Sequence, residues 1–391
     1  MAFSRRDFLG GSAALAAALS IRPALAVGAA ARPFRLAQDF DRAAESAIKA
    51  GACPGIGLQI SLRGQPWYVR SYGLANLETQ TPVVSGSIFR IGSLTKQFTA
   101  AMILRLQAQG SLSLDDAAAK YLPFFAKAPA FTLRELLNHT AGLHDDDTSD
   151  VPPSTNSQVD LAKAVSRQQK LFDFPPGTAW LYSNANYTVL GAVIEQVTNR
   201  PLADAASEMI FRPLELHATA FDTAAAVVPG RADGYTPIEG KPGAFAHAEF
   251  IDIAQTGGAG AMRSTTGDLC RWHHALFGNR LLDARHVRMM LTPGRLRDGR
   301  LSGSHRFSPA DDRSYGDVQY GMGLLLPPPD HGRRSAMHYG FVNGYAACLE
   351  TWLDEGLTTA ILCNANMGPA MPFRDLRRLV REKLLPTLAT A

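Results

Sequence analysis

Apolar and polar positions alternate with two different periods along this chain. Residues 36–50 carry apolar side chains at helical spacing, which predicts an amphipathic helix. Pro54-Gly55 breaks that pattern, and 56–62 and 67–72 then alternate as a hairpin around Arg63-Gly64-Gln65. A long apolar helix is predicted over 93–109, stopped by Gly110. Another follows over 131–137, capped at Thr132 and ended by Asn138-His139-Thr140-Ala141-Gly142. The chain to about 300 reads as mostly helical with long loops, including clear helices at 187–197 and 267–277, the latter capped by Thr265/Thr266. Beyond 300 the period changes. Short β-like runs occupy 320–326, 336–341, 345–353 and 358–363, and an amphipathic helix over 373–385 closes the pattern. Strands near both ends with helices between them predict one sheet built from both ends of the chain, with a helical part inserted beside it.

The first residues change the picture of where the protein works. Ser4-Arg5-Arg6-Asp7-Phe8-Leu9 is a twin-arginine signature, followed by a small-residue apolar run and Ala24-Leu25-Ala26, an A-x-A-like cleavage site. Residues 1–26 are therefore expected to be a signal peptide, and the mature protein to be periplasmic or secreted in a bacterium. Setting them aside removes Arg5, Arg6, Arg22 and Asp7 and moves the formal charge from +4 to +2. Near-neutrality and the lack of a Lys/Arg block argue against a nucleic-acid partner. No later segment is long and apolar enough for a stable membrane span.

Cys53, Cys270, Cys348 and Cys363 show no C-x-x-C spacing, so a zinc or redox motif is not expected. Cys348 and Cys363 flank the turn Asp354-Glu355-Gly356. A two-residue loop would set them directly opposite one another, whereas a three-residue loop would put them on opposite faces. A disulfide between them stays open, beside the reading of four buried small side chains.

Candidate chemistry starts at Ser93-Leu94-Thr95-Lys96. Residues three apart share a helix face, so Lys96 can lie beside the Ser93 hydroxyl and accept its proton. The helix N-terminus directs N–H groups toward developing negative charge. The spacing alone is weak: Ser46-Ala47-Ile48-Lys49 repeats it on a solvated helix face, and Ser93 could be a plain N-cap. Two further short motifs decide the matter, Tyr182-Ser183-Asn184 and His338-Tyr339-Gly340.

With these three in order, the chain resembles the serine β-lactamase and penicillin-recognising family, in the branch of class C β-lactamases, D-alanyl-D-alanine carboxypeptidases, D-aminopeptidases and related esterases. Leu136-Leu137-Asn138-His139-Thr140-Ala141-Gly142-Leu143, Gly257-Gly258-Ala259-Gly260 with Ser264-Thr265-Thr266-Gly267-Asp268-Leu269, and Gly340-Phe341-Val342-Asn343-Gly344-Tyr345 extend the resemblance over about 36–385. It implies an α/β (α+β) fold of the β-lactamase/transpeptidase type, an antiparallel sheet flanked by helices with an inserted helical subdomain. The α/β part would cover about 36–92 and 301–391, and the helical part about 93–300. The resemblance also implies that Ser93 forms an acyl-enzyme while Lys96 and Tyr182 handle protons, either one being the general base. Asn184, His338 and Gly340 would support substrate binding, and the backbone N–H groups of Ser93 and Phe341 would form the oxyanion hole.

The third motif departs from the lysine-containing tripeptide usual in β-lactamases. His338 replaces a fixed cation, and bulky Tyr339 replaces the small hydroxyl residue that would touch the same substrate carboxylate. The expected activity is hydrolysis of D-amino-acid peptides or amides. The alternatives are small-ester hydrolysis, a class C-like β-lactamase, and a non-catalytic sensor of muropeptides or lactams. No cofactor and no metal are expected. His144-Asp145-Asp146-Asp147 reads as a solvated acidic loop, and the partner is a small molecule or peptide.

Overall fold

A computed structural model of the chain describes residues 34–145, 157–307, 318–366, 368 and 371–388. The leader expected over 1–26, and the acidic loop beyond Asp145, lie outside the described residues. Eight strands form the main sheet: β1 (Gly55–Leu62), β2 (Gln65–Asn76), β3 (Thr81–Pro82), β4 (Gln319–Tyr320), β5 (Leu325–Leu326), β6 (Ser335–Val342), β7 (Tyr345–Trp352) and β8 (Leu357–Cys363). Their order is β3-β2-β1-β8-β7-β6-β5-β4, with antiparallel neighbours throughout. β1 and β8 join the two ends of the chain, Ile56 lying opposite Cys363 and Leu62 opposite Leu357.

Period-two alternation decides the faces. On β1, Ile56, Leu58 and Ile60 are fully buried in one cluster with Phe40 and Ala44 of α1 (Ala37–Lys49). Burying each such side chain contributes about 1.5–3 kcal/mol. The intervening Gly57, Gln59 and Ser61 face a helix on the other side, where Thr266 and Cys270 pack. We label the helices near the cleft α2 (Thr95–Ala108), α3 (Asn184–Thr198), α4 (Thr266–Phe277) and α5 (Phe373–Leu379). α2 is buried almost all round, from Thr95 to Leu104, as expected of a helix at the centre of the structure. α1 and α5 cover one sheet face, and α4 covers the other. On the α5 side, Arg377 grips buried Glu350 of β7 through Nε at 2.6 Å and Nη2 at 3.1 Å.

Several details differ from the sequence pattern. The middle of the chain also holds a small sheet of Phe89–Arg90, Ala220–Phe221 and Met262–Ser264, and a hairpin of Tyr235–Pro237 with Phe245–His247. Strands of two or three residues are too short to display a period. The run at 320–326 divides into β4 and β5 because Gly323, at φ 74°, turns the chain between them. α3 begins at Asn184, three residues before its apolar period becomes visible.

The β7–β8 loop spans four residues, since Trp352 pairs with Leu357. Cys348 therefore faces Ile361, and Cys363 faces Ala346. All four cysteines are free and buried.

Candidate active site

Ser93 lies in a single 3-10 turn, Gly92–Leu94, which runs directly into α2. One turn later Lys96 is fully buried, and its ammonium reaches three acceptors: Ser93 Oγ at 3.1 Å, Asn184 Oδ1 at 2.7 Å and the Ala259 carbonyl at 2.9 Å. A lysine ammonium has three protons, so this set satisfies it. The amine also stands 4.8 Å from the centre of the Tyr182 ring and 5.6 Å from that of Tyr187.

Each acceptor is held by local packing. Ala259 belongs to the helical turn Gly257–Gly260, whose Gly258 carbonyl accepts from Thr99 Oγ1 of α2 at 2.7 Å. A Cβ at Gly258 would lie 2.7 Å from the Tyr187 carbonyl, so only glycine lets this turn approach α3. Asn184 opens α3, and its amide is clasped from outside. Its backbone N–H donates to Asp145 Oδ1 at 2.6 Å, and its Nδ2 to Asp145 Oδ2 at 3.4 Å. Asp145 belongs to the acidic run read as a solvated loop. No spacing in the sequence distinguishes it from its acidic neighbours.

β6 supplies the opposite wall. A Cβ on Gly340 would sit 1.9 Å from the Ile91 carbonyl, and one on Gly92 would sit 2.7 Å from the Phe341 nitrogen. The two glycines thus let β6 run against the segment that carries Ser93, with the Phe341 backbone beside the nucleophile turn. Gly340 serves this close approach and has no side chain to bind with.

His338 is 2% exposed. Its Nδ1 faces the Tyr339 carbonyl, which can only accept, so Nδ1 carries the proton and Nε2 accepts from Tyr320 Oη at 3.1 Å. Burial, with Lys96 nearby, lowers its pKa to about 3. His338 is therefore a neutral hydrogen-bonding group and supplies no positive charge to Tyr182 or to a substrate carboxylate. Nor does Tyr339 offer its hydroxyl to the cleft, because Arg377 Nη1 donates to it at 2.6 Å from α5.

Ser93, Tyr182, Asn184, His338 and Phe341 line one cleft of about 330 Å³, with Lys96 in its floor through the contacts above. Ile251, Leu325 and Val342 make part of its wall apolar, and the Phe341 ring is 39% exposed at its edge. Apart from Lys96 in the floor, the described lining holds no arginine and no lysine. Among the described residues, no group of three His, Cys, Asp or Glu side chains is arranged to hold a metal ion.

His139 packs behind the motif. Its Nδ1 accepts from the Ser183 N–H at 3.3 Å and from Asn186 Nδ2 at 2.9 Å, and its ring lies 4.4 Å from that of Tyr182. It is a structural support under the Tyr-Ser-Asn segment, as its place in the Asn-His-Thr run suggests.

The fold is that of the β-lactamase-type serine hydrolases. The family model described as Beta-lactamase matches residues 40–384, and the chain belongs to that family. Penicillin-binding protein 4* of Bacillus subtilis is 26% identical over 321 residues, which cover 77% of this chain and 66% of that relative, just under two thirds of its length. Among solved structures, a D-stereospecific amidohydrolase from Streptomyces sp. superimposes with a TM-score of 0.69 at 27% identity, covering 86% of this chain and 97% of that one. The D-amino acid amidase from Ochrobactrum anthropi SV3 does so with a TM-score of 0.71 at 25% identity, covering 89% and 99%.

Proposed function

We propose that this protein is an exported serine hydrolase that cleaves amides of D-amino acids through an acyl-enzyme on Ser93. The observation that carries the reading is the 3.1 Å contact of Lys96 Nζ with Ser93 Oγ, in a cleft whose described lining adds no arginine and no second lysine.

Lys96, once neutral, takes the Ser93 proton as Oγ adds to the substrate carbonyl. The oxyanion so formed would be met by the backbone N–H groups of Ser93 and Phe341, donors of a kind each worth about 3–4 kcal/mol in a transition state. The proton then passes to the leaving nitrogen, with Tyr182 beside Lys96 as the relay. Amine departs, and water attacks the acyl-serine to release the acid and restore the Oγ–H.

His338 is neutral, and the described lining offers no arginine and no lysine other than Lys96, which is engaged with Ser93, Asn184 and Ala259; this favours a leaving group without a carboxylate and points to an amidase or aminopeptidase rather than a carboxypeptidase. The D configuration rests on the two amide-cleaving structural neighbours. The bacterial periplasm is the compartment that the Arg5-Arg6 leader supports.

The test compares D-phenylalaninamide, a dipeptide of D-alanine with a free carboxylate, and p-nitrophenyl acetate, each with the wild type and Ser93→Ala. The expected result is Ser93-dependent turnover of the amide well above that of the dipeptide. Turnover of the ester alone moves the assignment to a small-ester hydrolase. Activity that survives in Ser93→Ala refutes the acyl-enzyme.

A further inference from the structure

We infer that Asp145 is a positioning residue for Lys96, acting through the Asn184 amide. The inference rests on the reading of Lys96 as the proton carrier for Ser93. Asn184 must present an oxygen, not an NH2, to the ammonium 2.7 Å away. An asparagine amide can be turned over with little change in shape, so something has to choose its orientation. Asp145 makes that choice. An ionised carboxylate only accepts, and one of its oxygens takes Asn184 Nδ2 at 3.4 Å while the other takes the Asn184 backbone N–H at 2.6 Å. With Nδ2 held outward, Oδ1 faces Lys96.

The same carboxylate adds negative charge one side chain away from the amine. Around Lys96 stand also Ser93, the Ala259 carbonyl, the rings of Tyr182 and Tyr187, and the buried histidines His139 and His338. Both histidines have pKa values lowered by burial and face the ammonium as neutral rings. Asp145 and Asn184 together therefore stabilise the charged form of Lys96. Asp145 also caps the first turn of α3, and a cap alone would leave Lys96 unaffected.

Asp145→Asn separates these roles. It keeps one oxygen for the Asn184 N–H, so the cap survives. It sets an NH2 against Asn184 Nδ2, and it removes the charge. Lys96 would be followed by its side-chain 15N signal in a pH titration, assigned with Lys96→Arg. In Asp145→Asn the Lys96 midpoint should fall by about one pH unit, the low end of what a nearby opposite charge does. Asp145→Glu, which keeps the charge, should restore most of that shift. The limb of the kcat/KM profile that follows Lys96 should move to lower pH by the same amount, with the thermal midpoint little changed.

An unmoved Lys96 midpoint in Asp145→Asn overturns the inference, and so does an equal fall in Asp145→Glu. If the wild type hydrolyses none of the substrates, the proposed activity fails, and the Lys96 titration still decides the role of Asp145.

Discussion

His139, His273 and His338 are buried and neutral, and loss of solvation is the cause. His273 donates from Nε2 to Gln97 Oε1 at 2.8 Å and accepts at Nδ1 from Thr351 Oγ1 at 2.8 Å, and burial lowers its pKa to about 3. His338 is lowered to about 3, and His139 is lowered well below its ordinary value. A neutral histidine in the folded state and an ordinary one near 6.5 in the unfolded state give a definite sign. Between about pH 6.5 and 3 the unfolded chain binds more protons, so stability falls as the solution is acidified. Above 6.5 their contribution is fully present and flat. His273 and His338 can each remove about 1.4 kcal/mol per pH unit across that window, and His139 acts in the same direction. Thermal melts from pH 8 to 4 should show the loss beginning below pH 6.5. His273→Gln, remote from Ser93, should lessen the slope, and an identical slope in that variant would refute the assignment. The type of residue at 338 was legible in the sequence, but its charge state was not. That state depends on a carbonyl and a tyrosine hydroxyl brought together only by folding.

At the scale of elements, the approach of β6 to the nucleophile turn is the sensitive dimension. Gly340→Ala puts a methyl carbon 1.9 Å from the Ile91 carbonyl, which neither backbone can yield cheaply. The variant should lose about 1–3 kcal/mol of stability from overpacking. It should also lose turnover by about 10²-fold, because the Phe341 N–H shifts relative to Ser93. Kinetics on a stably folded preparation would check this, and wild-type kcat/KM would sink it. The elements that the sequence revealed are mostly those with several turns or several alternations, among them α1, α2, α4, α5, β1, β6, β7 and β8. Those it hid have short or interrupted patterns. β4 and β5 merged across Gly323, and the Asn184 end of α3 looked like a loop because its first turn is polar. The relation of Cys348 to Cys363 depended on a loop length that hydrophobic alternation does not report. A four-residue loop leaves both thiols on one face, two positions out of step. The orientation of Asn184 depends on Asp145, 39 residues earlier, and no local pattern encodes that contact.

For the whole molecule, the pairing of β1 with β8 is the feature with the longest reach. Residues 56 and 363 are direct neighbours at the centre of the sheet, so that centre closes only when nearly all of the chain is present. Contacts so far apart in sequence make folding slow. A chain ending at residue 356 would lack β8 and α5 and leave Ile56, Leu58 and Ile60 with only part of their cover, that from α1. It should be degraded rapidly in limited proteolysis, where the full chain persists; a resistant core in the shorter chain would contradict this. The consequence concerns timing in the cell. A ribosome that has not yet delivered residues 357–363 holds a molecule with its first hairpin made and one edge of β1 unmatched. Maturation of the sheet therefore waits for β8. Until then, the exposed edge of β1 is a place for chaperones to hold, and for other nascent chains to stick.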